Sequence, residues 1–256
     1  MLRHGGVIMK KFSLCFSVVI FFFITIFAYA DLIAHWPMDE GSGKEVKDIV
    51  GKGGIGRFIG NPRWVDGKVG KALEFGTGNY VQVESNPDLK PKSITVTMWV
   101  YFNDVAPPRQ DFFSKSDDYA LSLHEWANDG KIWPIITSAG GWVVVSGKTQ
   151  IEAKRWYHVA LVYGEKEKKL LSYVDGKLDA SIDAPSGLEH RIGGPLTLGT
   201  YADRFLKGML DEVKIWNEAL PEDKIKADMV LSVSVNPSEK LGVTWGRIKD
   251  EEVQRH

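Results

Sequence analysis

The sequence predicts an all-β fold of the sandwich or barrel type. Short apolar runs alternate with clusters of Gly, Pro, Asn and Asp at a spacing of about 8–12 residues, which is typical of sheets built from many short strands. No stretch before residue 219 has a convincing helical period. The hydrophobic fraction of 44% and charged fraction of 25% are those of an ordinary globular domain, which excludes a disordered chain.

Residues 1–30 have the features of a secretory signal. Arg3, Lys10 and Lys11 form a basic start, residues 12–28 are almost wholly apolar, and Ala28-Tyr29-Ala30 forms a cleavage site before Asp31. The alternative is an uncleaved anchor, because the apolar run is nearly long enough to span a bilayer. The Ala-x-Ala site favours cleavage, so we expect an extracytoplasmic protein in the periplasm, at the cell surface or outside the cell.

Cleavage would change the composition of the remaining chain. The segment holds three of the 32 basic residues and none of the 33 acidic ones, so 29 basic residues remain against 33 acidic and the formal charge becomes −4. The single Cys, Cys15, also lies in this segment. The mature chain is therefore expected to depend on its core or on bound metal rather than on disulfides. Its charge argues against nucleic acid as a partner, and no later stretch is apolar enough to predict a membrane span.

Two segments carry the clearest strand signals. In 93–102, aliphatic residues alternate strictly with Thr, Trp and Tyr, so the aliphatic side is expected to face a second sheet. The other side is expected to face solvent or line a concave groove. In 156–163 both faces are largely apolar, which predicts a central strand.

A hairpin is predicted where 169–174 and 177–182 flank Asp175-Gly176, because Gly readily adopts the positive φ of a tight turn. Further strands are predicted at 32–38, 55–60, 71–75, 80–83, 112–115, 119–124, 132–136, 142–146, 196–199 and 206–215.

One helix is predicted, over 221–230. Pro221 suits a first helical turn, and Glu222 with Asp223 favours the positive end of the helix dipole. Residues 231–256 are polar and weakly patterned, which indicates an extended strap or a mobile tail. The predicted organisation is thus a signal (1–30), one domain (31–230) and a C-terminal segment (231–256).

Several stretches, taken together and in order, resemble the laminin-G-like, concanavalin-A-like jelly-roll family found in secreted bacterial proteins. The stretches are AHWPMDEGSG (34–43), KVGKALEF (68–75), YVQV (80–83), SITVTMWV (93–100), WYHVA (156–160) with YVDG (173–176), GMLDEVKIW (208–216) and ALPE (219–222). The resemblance implies an antiparallel jelly-roll sandwich of two sheets with one short C-terminal helix. It leaves the function open, because this fold hosts lectins, adhesion modules and glycosidases.

Asp211 is the candidate metal ligand. Strict alternation in 206–215 places it on one face with Met209, Val213 and Ile215. A carboxylate in such a core-facing row needs a charged partner, hydrogen bonds or a metal. The resemblance implies a structural calcium at the sandwich edge, held by an Asp at this position and by oxygens of the turn that contains Asp39 and Glu40. The alternative is that Asp211 caps backbone N–H groups or pairs with a basic residue.

The sequence favours a non-catalytic protein. It lacks the E-x-D-x-x-E strand that places catalytic carboxylates on one face in retaining glycosidases of this fold. It also lacks H-x-H, H-E-x-x-H and G-x-S-x-G spacings, so neither a zinc enzyme nor a serine hydrolase is predicted. A glycoside hydrolase or lyase with carboxylates from separate strands remains the less favoured alternative.

The candidate ligand-binding residues lie in 104–150 and 200–205, where aromatic and polar residues gather around turns. Sugars stack on aromatic rings while polar side chains meet their hydroxyls. The candidates are Trp126, Trp133, Trp142, Tyr201 and Arg204. The alternative for each ring is a place in the core. The leading hypothesis is a carbohydrate-binding domain whose partner is a polysaccharide or surface glycan, and the second is a protein-binding or structural module with an extracellular protein partner.

Overall fold

The computed structural model describes residues 31–234 apart from 107, 125–128, 186 and 191–192, and for 232–234 it describes the backbone only. The predicted signal (1–30), the candidate Trp126 and residues 235–256 lie outside the described residues. Among the described residues, no helix is both long and apolar enough to cross a membrane.

Eight strands form the first sheet, called sheet I. They are β1 Leu32–Trp36, β4 Arg63–Asp66, β5 Lys71–Phe75, β7 Ile94–Phe102, β12 Trp156–Gly164, β13 Lys169–Val174, β14 Lys177–Asp183 and β18 Gly208–Trp216. Their order across the sheet is β14-β13-β12-β7-β18-β5-β4, and β1 pairs with the C-terminal half of β18, from Val213 to Trp216. All of these pairings are antiparallel.

Ten strands form the second sheet, called sheet II. They are β2 Glu45–Val46, β3 Gly56–Ile59, β6 Tyr80–Val83, β8 Gln110–Lys115, β9 Tyr119–Leu123, β10 Ile132–Ser138, β11 Gly141–Val144, β15 Leu196–Leu198, β16 Thr200–Tyr201 and β17 Arg204–Phe205. The order is β11-β10-β9-β8-β15-β6-β3-β2, with the small β16–β17 hairpin attached to β8. A short 3-10 helix spans Pro87–Leu89, and the one α-helix among the described residues, α1, spans Glu222–Ser234.

The core lies between the two sheets. The aliphatic side chains of β7 all point into it, which confirms the predicted alternation. Phe102 of sheet I and Phe112 of sheet II meet edge to face with ring centroids 5.7 Å apart. Trp36 is fully buried and donates its indole N–H to the Gly54 carbonyl at 2.8 Å. The two-sheet antiparallel sandwich predicted from the sequence is confirmed.

The predicted hairpin between β13 and β14 is also confirmed. Asp175 and Gly176 both have positive φ, at 49° and 72°. This pair of angles belongs to a type I′ turn, whose twist matches that of the two strands it joins. The short strands β2 and β4 were not predicted, because neither shows a clear alternation of apolar and polar residues.

Helix α1 begins one residue after Pro221 and ends at Ser234, so the prediction that it stops at residue 230 was wrong. No Gly or Pro occurs between Pro221 and Pro237, so nothing in the sequence terminates the helix earlier. The helix packs on the outer face of sheet I over an apolar cluster of six buried residues: Ala160, Val162, Tyr173, Trp216, Leu220 and Ile225.

A buried polar network, here called the helix anchor, fixes α1 to sheet I. Asp228 of α1 accepts the Thr97 hydroxyl at 2.8 Å and lies 2.7 Å from the Lys214 ammonium and 3.4 Å from the His158 ring. Glu212 lies 3.4 Å from Lys214 and also contacts the His35 ring at 2.9 Å. The two strand histidines are therefore packed, hydrogen-bonded residues.

The prediction that Asp211 shares a core-facing row with Val213 and Ile215 was wrong. The pairing of β18 with β7 shifts register between Asp211 and Lys214, and Glu212 has a φ of 53°. A bulge reverses the alternation beyond it. Asp211 therefore lies with Met209 on the outer face of sheet I, although it remains fully buried.

Candidate functional site: an aromatic recess on sheet II

A shallow recess with a volume of about 20 Å³, open to solvent, lies on the outer face of sheet II. We call it the sheet II recess. Six of its lining residues carry its chemistry: Arg109, Ser116, Asp117, Ile135, Trp142 and Tyr201. Two of the predicted ligand-binding residues, Trp142 and Tyr201, are thus brought together from segments that lie far apart in the sequence.

Trp142 reaches solvent because it lies on β11, the edge strand of sheet II. It pairs with Thr137 of β10, on the side of the sheet that also carries Ile135. Its neighbour Val143 points the other way and packs against the core. The side chain of Trp142 is 51% exposed, which is unusual for an indole. The alternative that this ring fills the core does not hold for Trp142.

Tyr201 stands at the opposite side of the recess, on the β16–β17 hairpin. Its hydroxyl donates to the carboxylate of Asp117, which lies in the turn between β8 and β9. Burial and the hydrogen bond to Asp117 raise the pKa of Tyr201 to about 12. The phenol therefore stays neutral at physiological pH and holds the turn and the hairpin together.

Arg204 binds the buried carboxylate of Asp111 beneath the hairpin. Its Nε lies 2.5 Å from one oxygen of Asp111, and Nε of Arg109 lies 2.7 Å from the other. Burial raises the pKa of Asp111, while the two guanidinium groups oppose that shift. The Arg204 guanidinium also lies over the Tyr201 ring, 5.5 Å from its centroid. Arg204 thus holds the hairpin that carries Tyr201 but does not itself line the recess.

Two predicted ligand-binding residues remain: Trp126 lies outside the described residues, and Trp133 has a different position from the recess residues. Trp133 lies on the same outer face, on β10 beside Ser122, but it does not line the recess. Its indole N–H donates to Asp129 at 3.0 Å, which ties the ring to the loop before β10.

The four charged groups that hold the recess and its hairpin are paired with one another or with Tyr201. Arg109 and Arg204 supply two positive charges, and Asp111 and Asp117 supply two negative ones. The pairs are held by short polar contacts, so the surface they present is polar but carries no net charge. Such a surface favours a neutral ligand with hydroxyl groups over a strongly charged one.

Asp39 and Asp211 meet at a single turn, that between β4 and β5. Asp211 accepts the backbone N–H of Val69 at 2.8 Å, and Asp39 accepts that of Lys71 at 2.8 Å. Glu40 turns elsewhere and accepts the N–H of Lys47 at 2.7 Å. The expected alternative, in which Asp211 caps backbone N–H groups, is therefore observed in part. The described part of the chain has no cluster of three or more His, Cys, Asp or Glu side chains placed to hold a metal.

The fold and the recess define a two-sheet lectin-like sandwich. The chain matches the concanavalin A-like lectin/glucanases superfamily over residues 75–226, which is more than half of its length. The chain belongs to this superfamily, as the resemblance implied. Among curated protein sequences, none matches it significantly.

Solved structures of similar fold include domain 4 of AbnA, a GH43 extracellular arabinanase from Geobacillus stearothermophilus, in complex with arabinotriose. This domain is 21% identical, with a TM-score of 0.63 over 78% of this chain and 98% of that domain. The binding domain of Paraclostridial Mosquitocidal Protein 1 is 16% identical, with a TM-score of 0.63 over 78% of this chain and 52% of that one.

The binding domain of Botulinum neurotoxin DC, in complex with rat synaptotagmin II, is 12% identical with a TM-score of 0.60. The match covers 78% of this chain and 51% of that one. The present chain therefore spans about half of these toxin binding domains. At these identities the likeness shows the fold alone.

Proposed function

We propose that this protein is a secreted, non-catalytic domain that binds a neutral carbohydrate in the sheet II recess. The observation that carries the proposal is the exposed ring of Trp142, which lines the recess together with Tyr201 and beside paired charged groups. An indole offers an apolar face to the C–H groups of a sugar ring, and the polar groups around it suit the hydroxyls. The arabinanase domain of similar fold, which is in complex with arabinotriose, supports this choice.

The carboxylates near the recess support a binding role rather than hydrolysis. A glycosidase needs one carboxyl group that protonates the leaving oxygen and a second that acts as base or nucleophile. Here both oxygens of Asp111 are bound by arginines, and Asp117 accepts the Tyr201 hydroxyl. The proposal therefore predicts no release of reducing sugar from any polysaccharide that the protein binds.

The proposed location outside the cytoplasm rests on residues 1–30 of the sequence. The basic start, the apolar run and the Ala-x-Ala site support export and cleavage. N-terminal sequencing of protein from the source cell's envelope and medium would test this, with Asp31 as the expected first residue.

A protein ligand is the second candidate. A related fold binds synaptotagmin, so a protein partner in the cell envelope is an alternative to a glycan. A pull-down from the envelope separates the two, since a protein partner would be retained after the envelope sample is treated to remove its glycans.

We expect Trp142→Ala to weaken carbohydrate binding about tenfold or more, because an exposed aromatic at the centre of a site commonly contributes more than 1 kcal/mol. The measurement is native affinity electrophoresis of the mature protein in gels containing arabinan or another neutral polysaccharide. Leu178→Ala is the matched control, since Leu178 is 49% exposed but lies on β14, at the edge of sheet I. Equal retardation of the Trp142→Ala protein and the wild type would contradict the proposal.

A structural calcium at the β4–β5 turn is a further part of the proposal. Asp211 of β18 and Asp39 of the segment that follows β1 both reach this turn and accept backbone N–H groups from it. Calcium takes six to eight oxygens and accepts carbonyls and water among them, so backbone carbonyls of the turn and water would complete the set that these two carboxylates begin. The ion would stiffen the turn and take no part in sugar chemistry.

Chelation is expected to lower the melting temperature of the wild type by several degrees, since a ligand at about 100 times its Kd adds ~2.7 kcal/mol of stability. Asp211→Ala should remove the difference between chelated and calcium-loaded protein. Asp66→Asn should keep it, because Asp66 lies in β4, 92% exposed, and pairs with Lys71. An unchanged melt of the wild type on chelation would rule the ion out.

A further inference from the structure

A row of five side chains crosses the outer face of sheet I, on the side of the sandwich opposite the sheet II recess. Cross-strand pairing aligns Arg63 with Glu74, Glu74 with Met209, Met209 with Tyr101, and Tyr101 with Trp156. Neighbouring strands lie about 4.8 Å apart, so the row runs for about 19 Å across β4, β5, β18, β7 and β12. We call this row the sheet I strip.

The strip lies on the part of the face that α1 leaves open. The helix covers the other end of the face through Thr97, Lys214 and the apolar cluster beneath it. The turn between β4 and β5 covers the part of the face between the helix and the strip. There the Lys68 ammonium lies 4.7 Å from the Trp99 ring centroid. Trp99 is buried there, whereas every residue of the strip reaches solvent.

The strip joins an aromatic half to a polar half. The Tyr101 and Trp156 rings lie 5.5 Å apart at an angle of 59°, both only partly buried. At the other end the Arg63 guanidinium, 74% exposed, pairs with the Glu74 carboxylate, which also accepts the Asn103 amide at 3.3 Å. The two ends together offer ring faces for stacking and both donors and acceptors for hydroxyl groups.

We propose that the sheet I strip is a second carbohydrate-binding site, which takes a linear neutral polysaccharide running across the strands. The Arg63–Glu74 pair cancels its own charge, so the strip gives no advantage to an anionic chain. Its length of about 19 Å suits several linked sugar units rather than a single one.

A glycan fits the strip better than a protein does. A stable protein interface buries about 800 Å² on each partner around an apolar centre. The strip is a single residue wide, and Met209 is its sole aliphatic member. A thin chain that touches one row of side chains matches this shape.

The strip shares no residue with the sheet II recess, so the inference stands apart from the proposed function. If both hold, one molecule engages two polysaccharide chains, or two stretches of one chain, on opposite faces. The second contact would then act at the effective concentration that the first one sets, and overall binding would exceed that of either site.

The test is native affinity electrophoresis in gels of arabinan, dextran and galactomannan, which are neutral probes, with five variants. Trp156→Ala is expected to weaken retardation about tenfold in at least one gel, and Glu74→Gln to weaken it less. Trp142→Ala is expected to retain part of the retardation, and the Trp142→Ala/Trp156→Ala double variant to lose all of it. Leu178→Ala, in the same sheet but off the strip, should behave as the wild type.

Hydrogen exchange on the Trp142→Ala protein gives a second measurement that does not depend on how the strip variants fold. Added polysaccharide is expected to protect peptides that cover the end of β7 and the start of β12. The inference is overturned if Trp156→Ala matches the wild type in all three gels, if no gel retards the wild type, or if the protected peptides lie elsewhere. Protection of the strip by an envelope protein instead of the polysaccharides would also overturn it.

Discussion

Asp228→Ala is expected to lower the free energy of unfolding by about 3–5 kcal/mol, because it leaves buried charges of the helix anchor without their partner. Asp228 is almost fully buried and holds Lys214, His158 and Thr97 at once. Its removal takes from the buried Lys214 ammonium the carboxylate that lies 2.7 Å away, whereas the Glu212 carboxylate lies 3.4 Å away. The helix would loosen from sheet I before the sandwich itself unfolds.

Urea unfolding monitored by fluorescence and by circular dichroism measures this loss. Asp223→Ala, in the exposed first turn of the same helix, is the control and should cost well under 1 kcal/mol. A loss of less than 1 kcal/mol for Asp228→Ala would show that the anchor adds little to the attachment of the helix.

The effect of Asp228→Ala should also depend on pH. Burial alone would raise the pKa of Asp228, but Lys214 and His158 hold it well below its ordinary value. A carboxyl with a depressed pKa stabilises the folded state above its unfolded pKa and loses that contribution as the pH falls through its folded pKa. The difference between wild type and variant should therefore be constant near neutral pH and shrink below about pH 4. A difference that grew in acid would contradict this assignment.

Asp111→Ala is expected to have the second largest effect, on both stability and binding. The substitution leaves Arg109 and Arg204 facing each other without the buried carboxylate between them. Removing one partner of a buried charge pair costs about 3–5 kcal/mol. The β16–β17 hairpin pairs with β8 at Asp111 itself, so the hairpin should shift and take Tyr201 out of the recess.

Thermal melting and affinity electrophoresis together measure this result. Asp111→Asn keeps the shape of the side chain but not its charge, so a smaller loss of stability is expected. Asp203→Asn is the control, because Asp203 is exposed in the same hairpin and Asn tolerates its φ of 62°. Full binding by Asp111→Ala would mean that the hairpin does not shape the recess.

The sequence was sufficient to predict those elements whose signal is local. The alternation in β7 and the Asp175-Gly176 turn act through neighbouring residues, and both were confirmed. The rule of alternation failed at Asp211, because the bulge at Glu212 leaves no mark in the apolar pattern. The end of α1 was misplaced because a polar segment without Gly or Pro carries no stop signal.

The candidate site was predicted only in part, because its geometry depends on distant pairs. Trp142 and Tyr201 were selected for their types and their place near turns, and the fold brings them to one recess. Asp111 was overlooked because the predicted strand began at 112, whereas β8 begins at Gln110. Its partner Arg204 lies 93 residues away, so no local pattern indicates the pair.

The helix anchor was missed for the same reason. Thr97 and Asp228 are separated by 131 residues, and each is an unremarkable polar residue in its own segment. Such distant pairs determine which part of the outer face of sheet I is covered. They place α1 over one end of that face and leave the sheet I strip open at the other.

If the Trp142 ring binds sugar, the NMR resonance of its own indole N–H should respond to added ligand. The resonance is assigned by its loss in Trp142→Phe and is followed in ¹⁵N-labelled protein during titration with arabinotriose and with oligosaccharides of dextran and galactomannan. We expect the Trp142 resonance to move in a saturable manner with a ligand that also retards the protein in gels. Retardation of the protein in gels without any movement of the Trp142 resonance would contradict sugar binding by this ring.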